Sequence, residues 1–368
     1  MLILLISSMA GLGGTERSTQ TLSELLTARG HEVHLLGTQG PLVKDIEKLG
    51  VKFFETQTHS RNPAGNLSFL KQLTQLLKTY DYDCVHVQMA RPVLTAVLAK
   101  RLAGSSAKII WHSRGVHAVT YQYVPKLFSA MGVRAIGNCK AEQDKLIRYG
   151  FDESRVGYLY NPCRIENKRG ERSRFREQYG FNDEDIVIGS LSRLHPDRGV
   201  GYAISYFEQL YKDHSDLGRL FLLIAGEGEE REKLEQQAAN SEAADRILFV
   251  GGIKDTPDFY AGIDLFWNPV AFKGDQSAGT GNTVIEAAFQ GVPMVSHDWG
   301  GVTEIVIDGV TGGVAPIGGT ADFVEKTAAL LADDRYQQET VERAFARVSK
   351  LVGSTACVKK VEQYYREL

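Results

Sequence analysis

The sequence predicts an α/β protein of two domains, each built on an open parallel sheet, and three observations predict it. Its 368 residues are enough for two separate cores. Short apolar runs of strand length alternate with amphipathic stretches of helix length, the pattern of parallel strands joined by crossover helices. That alternation stops once, at NPCRIENKRGERSRFREQYGFNDED over 161–185, which is charged, poorly periodic and reads as a hinge. The expected division is a first domain over 1–163, a linker over 164–185, a second domain over 186–345 and a terminal helix over 346–368 with room to pack back on the first domain.

Leu2 to Ser8 is a continuous apolar run suited to a strand buried on both faces. It ends in SMAGLGGTERS, followed by a helix from about Thr15 to Arg29 and a strand from His31 to Gly37. This βαβ unit invites the dinucleotide fingerprint G-x-G-x-x-G, and Gly11 and Gly13 fit it. Glu16 stands where the third glycine would let helix and strand pack closely, so the loop could approach a pyrophosphate through Gly13 and Gly14 without implying NAD. Strands are expected next at Val51 to Glu55, Cys84 to Gln88, Lys108 to His112, Arg134 to Gly137 and Val156 to Tyr160. Helices fit between them near Asn66 to Tyr80, Pro92 to Ala103, Tyr121 to Met131 and Lys140 to Tyr149. Beyond the hinge, strands are expected at Ile186 to Ser192, Arg219 to Ala225, Ile247 to Val250 and Asp264 to Asn268. Helices from about Val200 to Lys212 and Glu229 to Asn240 separate the first three, and from Ala321 the tail reads as helices alone.

Composition excludes several classes. Hydrophobic content of 43% and charged content of 24% are those of an ordinary globular protein. No apolar run approaches membrane-span length, and MLILLIS lacks the basic start of a secretory signal, so a cytoplasmic location is expected. Four scattered cysteines form no C-x-x-C pair and read as reduced thiols. His31 and His34 in HEVH sit on a strand, where residues three apart face opposite sides, which argues against a metal site. Up to Cys163 there are 19 Lys and Arg against 12 Asp and Glu; the rest of the chain has 23 against 33. The basic half can meet an anionic substrate or surface, but its cations are dispersed without aromatic interleaving, so nucleic acid is not expected.

The stretch from Trp267 to Gly313 is the most informative. A strand end leads into a glycine-rich loop over Gly274 to Gly281, a short helix over Asn282 to Gln290, and a second strand over Met294 to Ser296. Glycine amides feeding a helix N-terminus make an anion site. Glu286, one turn further in, is too deep for the same phosphate and suits paired ribose hydroxyls. The plain alternative is a connector with Glu286 on the polar side of its helix. Three glycine clusters in one stretch favour the nucleotide-diphosphate cradle.

With GLGGTER at the start, SRLHPDRGV at Ser192 to Val200, AGEGEER at Ala225 to Arg231, LFVGGI at Leu248 to Ile253 and IEAAFQGVPMVSHDWGGVTEIVIDGVTGG from Ile285, the chain resembles the retaining GT-B glycosyltransferases of family 4. The resemblance spans most of the chain. It implies two Rossmann-like domains with parallel sheets facing a central cleft, the sugar nucleotide being held mainly by the second. It further implies that Arg193 and Arg198 bind the donor diphosphate, Arg198 standing where the family usually has lysine. Glu286 would bind the ribose, Ile253 would lie near the base, and Gly13 and Gly14 would close over the phosphates. His112, in IIWHSRG, matches the family histidine beside the transferred sugar; otherwise it is a hydrogen-bonded strand-end histidine.

One departure stands out. The family carries two glutamates eight residues apart, and the partner of Glu286 is here Ala278. That carboxylate normally contacts hydroxyls of the donor sugar, so the resemblance does not carry over the donor's identity: either Asp275 substitutes, or the donor lacks the usual hydroxyl pattern, or Asn282 and Thr283 supply the contacts. The expected reaction is transfer from a nucleotide-diphosphate sugar, UDP before GDP, to a glycan or lipid-linked glycan acceptor in polysaccharide, lipopolysaccharide or capsule synthesis. It would proceed with retention, without metal or other cofactor. Arg193, Arg198 and the amides near Gly281 to Thr283 are expected to stabilise the leaving diphosphate, with His112 positioning the sugar. Acceptor contacts are expected from Ser113 to Phe128, including Arg114 and His117; the stretch reads either as a solvated loop and half-buried helix, or as a grip that also leans on the inner membrane surface. The other classes kept open are a GT-B nucleotide-sugar 2-epimerase and a non-catalytic nucleotide-sugar-binding partner subunit.

Overall fold

The computed structural model describes the chain except residues 12, 58–62, 116–117, 164, 166–168, 254–255, 272–278 and 368. The fold divides into two compact units, the first comprising Met1–Arg164 and Val352–Leu368, the second Ile165–Gly274 and Thr280–Leu351.

In the first unit the strands are β1 (Leu2–Ser7), β2 (Glu32–Gly37), β3 (Lys52–Glu55), β4 (Cys84–Val87), β5 (Lys108–Ser113), β6 (Arg134–Gly137) and β7 (Val156–Tyr158). They lie in the order β3-β2-β1-β4-β5-β6-β7, and every pairing is parallel. Because successive side chains of a strand point to opposite faces, one apolar run serves two cores. Leu4, Ile6, Val85 and Val87 pack with Leu73 and Val93 of the helices Pro63–Thr79 and Arg91–Ala103. Ile3, Leu5, Cys84 and Ile110 pack with Leu22 and Leu26 of the helix Gly14–Ala28 and with Val358, Val361 and Tyr365 of the last helix, Ser354–Glu367. Glu362 holds that last helix in place, accepting from Arg29 Nε at 3.1 Å and lying 2.8 Å from His31 Nε2.

In the second unit β8 (Ile186–Leu191), β9 (Leu220–Ala225), β10 (Ile247–Gly251), β11 (Leu265–Asn268), β12 (Met294–His297) and β13 (Gly313–Ala315) form a parallel sheet in the order β10-β9-β8-β11-β12-β13. Both units are therefore Rossmann-like. The strand order reverses between β1 and β4 in the first and between β8 and β11 in the second, and loops leaving such a point diverge to open a crevice at the strands' carboxyl ends.

The stretch read as an aperiodic linker contains a helix, Arg172–Tyr179, integral to the second unit. Its buried side consists of Phe175 and Arg176, and Arg176 donates to the carbonyl oxygens of Gly262, Asn182 and Asp185 and to Asp264. A guanidinium bonded through both Nη atoms in this way fills a core position that a hydrophobic pattern scores as surface. Gly262 ends the helix Thr256–Gly262, and a Cβ on it would lie 2.1 Å from the Phe175 ring, so this helix and Arg172–Tyr179 can close only on glycine. The helix expected over Tyr121 to Met131 is two pieces, Ala118–Tyr121 and Val124–Ala130, the second entered through Pro125. The helices Val43–Glu47 and Thr256–Gly262 and the strand β13 are shorter than periodicity can detect. All four cysteines are buried and none forms a disulfide. No helix among the described residues is long and apolar enough to cross a membrane.

Candidate active site

At the switch point of the second unit, the loop leaving β8 carries Arg193 and Arg198. Between them, fully buried Leu194 pins the loop: its N–H donates to Glu227 O at 2.9 Å and its carbonyl accepts from Glu230 N at 3.1 Å. Arg193 is exposed and Arg198 half-buried. Burial is the main cause that draws the Arg198 guanidinium below its usual basicity; Asp197, 3.5 Å from its Nε, opposes this and the charge of Arg193 adds to it. Two cations near enough to repel each other are relieved by a bound anion.

The loops leaving β8 and β11 are fastened together. Ala271 N donates to Asp197 O at 3.0 Å. Gly199 has φ 65°, and a Cβ there would lie 2.8 Å from the Val270 carbonyl carbon. His297, at the end of β12, sets Nδ1 2.8 Å from Val270 O and Nε2 3.0 Å from the Tyr206 hydroxyl. Two helices start here from glycines, Val200–Asp213 from Gly199 and Asn282–Gln290 from Gly281, and neither has a side-chain cap. The positive dipole ends of both helices favour an anion here.

Glu286 is half-buried one turn inside the second of these helices. The hydroxyl of Tyr260 lies 3.3 Å from its Oε2 and 3.1 Å from Thr283 O. Tyr260 belongs to the unforeseen helix Thr256–Gly262, so sequence reading missed it. It also missed Thr280, whose buried hydroxyl has no hydrogen-bond partner among the described residues; the signal was its place two residues before the helix. Asn282 and Thr283 are half-buried in the first turn, and Ile253 is half-buried just beyond β10. Asp275 and Ala278 lie outside the described residues.

The first unit gathers a polar group at the carboxyl ends of β4 and β5. His112 is 1% exposed; its Nδ1 lies 3.2 Å from His86 Nε2, and its own Nε2 has no partner among the described residues. Burial foremost, with Arg114 nearby, pushes His86 down to about 3 and His112 well below the ordinary imidazole range. Arg114 donates through Nη2 to Gln88 Oε1 at 2.6 Å and through Nη1 to Asn161 Oδ1 at 2.6 Å. Burial lowers Arg114 to about 10, while the charge of Glu16 opposes the shift. Gly13 caps the helix Gly14–Ala28, and Glu16 in its first turn bends back so that a Cβ on Gly13 would be 2.8 Å from Glu16 Oε2. A carboxylate therefore already lies against the glycines expected to meet phosphate, and it competes with one. His117 lies outside the described residues. Among the described residues no group of three or more His, Cys, Asp and Glu is arranged to hold a metal ion.

The family model for glycosyl transferases group 1 matches residues 171–347, and that for glycosyltransferase family 4 matches residues 12–167. The GDP-mannose-dependent alpha-(1-6)-phosphatidylinositol monomannoside mannosyltransferase of Mycolicibacterium smegmatis is 30% identical over 284 residues, 72% of this chain and 71% of that protein. This chain belongs to the family 4 glycosyltransferases. A second relative of this glycosyltransferase, the N-acetyl-alpha-D-glucosaminyl L-malate synthase of Bacillus anthracis, is 23% identical over 98% of this chain and 94% of its own. The structure of Anabaena HepE in complex with UDP and glucose superposes on the glycosyltransferase over 100% of both chains, with a TM-score of 0.84 at 19% identity, which shows the shared GT-B fold.

Proposed function

We propose that this glycosyltransferase moves a sugar from a nucleotide-diphosphate sugar to a glycan or lipid-linked glycan, with retention of configuration and without a metal. The single observation carrying the reading is the convergence, at one switch point, of Arg193, Arg198 and two helix N-termini without side-chain caps. As the glycosidic bond to the diphosphate breaks, negative charge grows on the departing phosphate and positive charge on the anomeric carbon. Fixed cations and amides aimed at the phosphate stabilise that transition state more than the ground state. Glu286, steadied by Tyr260, takes the ribose hydroxyls, and Ile253 lies by the base. The leaving phosphate itself accepts the acceptor's proton, while His112 holds the sugar. Arg114 and His117 serve the acceptor. With Ala278 in place of a carboxylate, the donor sugar is held by Asp275, or by Asn282 and Thr283.

UDP is our first choice of base. GDP is the second, favoured by the mannosyltransferase relative, whose name specifies GDP-mannose. We place the reaction in the synthesis of a polysaccharide, lipopolysaccharide or capsule, on the cytoplasmic side and in peripheral contact with the membrane.

The test is to incubate the full chain with UDP- and GDP-sugars and simple glycosides in the presence of EDTA, and to follow the anomeric protons by NMR. Retained configuration in the product supports the proposal. An inverted product, an absolute requirement for added divalent ion, or an epimerised nucleotide sugar overturns it.

A further inference from the structure

The side chains of His86 and His112 lie on the same face of the first sheet, since His86 pairs with Ile110 and His112 is two residues further along β5. Tyr365 of the last helix covers that face. A buried chain of three groups results: Tyr365 Oη lies 2.6 Å from His86 Nδ1, and His86 Nε2 lies 3.2 Å from His112 Nδ1. The two imidazoles are nearly parallel, at 16°. All three residues are no more than 2% exposed.

Burial keeps both rings neutral, so each carries one N–H and one bare nitrogen. The nitrogen-to-nitrogen contact therefore needs one donor and one acceptor, and the two tautomers are locked together. In one arrangement the Tyr365 hydroxyl donates to His86 Nδ1, His86 Nε2–H donates to His112 Nδ1, and His112 bears its proton on Nε2. In the other every direction is reversed, His112 Nε2 is bare, and the Tyr365 hydrogen must find another acceptor. Among the described residues the Tyr365 hydroxyl has no second partner, so the reversed arrangement leaves a buried O–H unsatisfied. Arg114, close to both rings, disfavours a third arrangement with an imidazolium.

We infer that Tyr365 and His86 are positioning residues that fix His112 as an Nε2–H hydrogen-bond donor, directed to an oxygen of the bound sugar. The role of the sugar rests on the proposed function; the direction of the relay does not. His112 then cannot serve as the base that deprotonates the acceptor, because its free nitrogen already holds a proton. The last helix, remote in sequence, thereby sets the chemistry of a residue on β5.

The direct test is a long-range proton–nitrogen correlation spectrum of the imidazoles in the nitrogen-15-labelled full chain at neutral pH, with His112 and His86 assigned through His112→Gln and His86→Gln. The expected result is the Nε2–H tautomer for both rings; an Nδ1–H tautomer for His112 overturns the inference. Tyr365→Phe, its folding checked by circular dichroism, removes the donor that sets the direction. His112 should then shift toward the Nδ1–H form, and kcat should fall about tenfold with little change in donor KM. An unchanged His112 tautomer in that variant also overturns the relay. The spectra need no substrate, so expected tautomers in a protein that transfers no sugar support the relay while removing the proposed function.

Discussion

The hydroxyl of Tyr260 lies 3.3 Å from the Glu286 carboxylate, tying a helix seen only in the structure to the residue at the centre of the nucleotide reading. The same hydroxyl reaches Thr283 O, so it braces the first turn of the Glu286 helix. Tyr260→Phe keeps the ring packing and removes this brace. Affinity for a nucleoside diphosphate should drop by about fivefold to tenfold, the worth of one hydrogen bond, while affinity for pyrophosphate alone stays the same. Calorimetric titration with both ligands checks this; equal losses for the two would assign Tyr260 to the phosphate cradle instead.

Gly199 stands where the loop carrying Arg198 meets Val270, at φ 65°. Gly199→Ala adds a Cβ in a left-handed conformation against backbone, and should cost about 1–3 kcal/mol with a loss of diphosphate affinity. Gly180 also has positive φ, but nothing lies within 4 Å of its Cβ position. Gly180→Ala should lower stability by about 1 kcal/mol and leave binding intact. Urea titrations and diphosphate binding of the two variants separate site geometry from general strain.

Most of the sheet was legible because a strand buried on both faces must be apolar throughout, as Leu2–Ser7 and Leu220–Ala225 are. The Asn282–Gln290 helix and its glycine were legible for a similar reason: backbone needs few alternatives to glycine at φ 75°. What escaped was set by tertiary partners. Arg176 is charged yet buried, because carbonyls from two other segments receive it. Tyr260 and Thr280 matter through what lies beside them, and no local pattern records that. The pairing of His86 with Tyr365 spans 279 residues and depends on where the last helix docks.

Stability should depend on pH well above the carboxylate range. His86 is held at about 3 and His297 at about 4, with His112 also well below the ordinary 6.5, burial being the first cause in each. The folded state refuses protons that the unfolded chain accepts, so the stability these groups contribute is full above 6.5 and is lost as pH falls through their depressed values. The slope should be on the order of 1.4 kcal/mol per pH unit for each histidine within that window. Denaturant midpoints measured between about pH 7 and pH 5 should fall steadily. A flat profile would mean that these rings gain protons in the folded state.

The claim that the second unit is a nucleotide-diphosphate site is tested most directly by thermal unfolding of the full chain with nucleoside diphosphates and their sugars in EDTA. At a ligand concentration of about 100 times Kd, UDP or GDP should raise Tm by about 3–4 °C. Glu286→Ala should abolish the shift, and a larger shift with one nucleotide sugar would identify the donor. No shift with any nucleotide, or an equal shift in Glu286→Ala, would contradict the account.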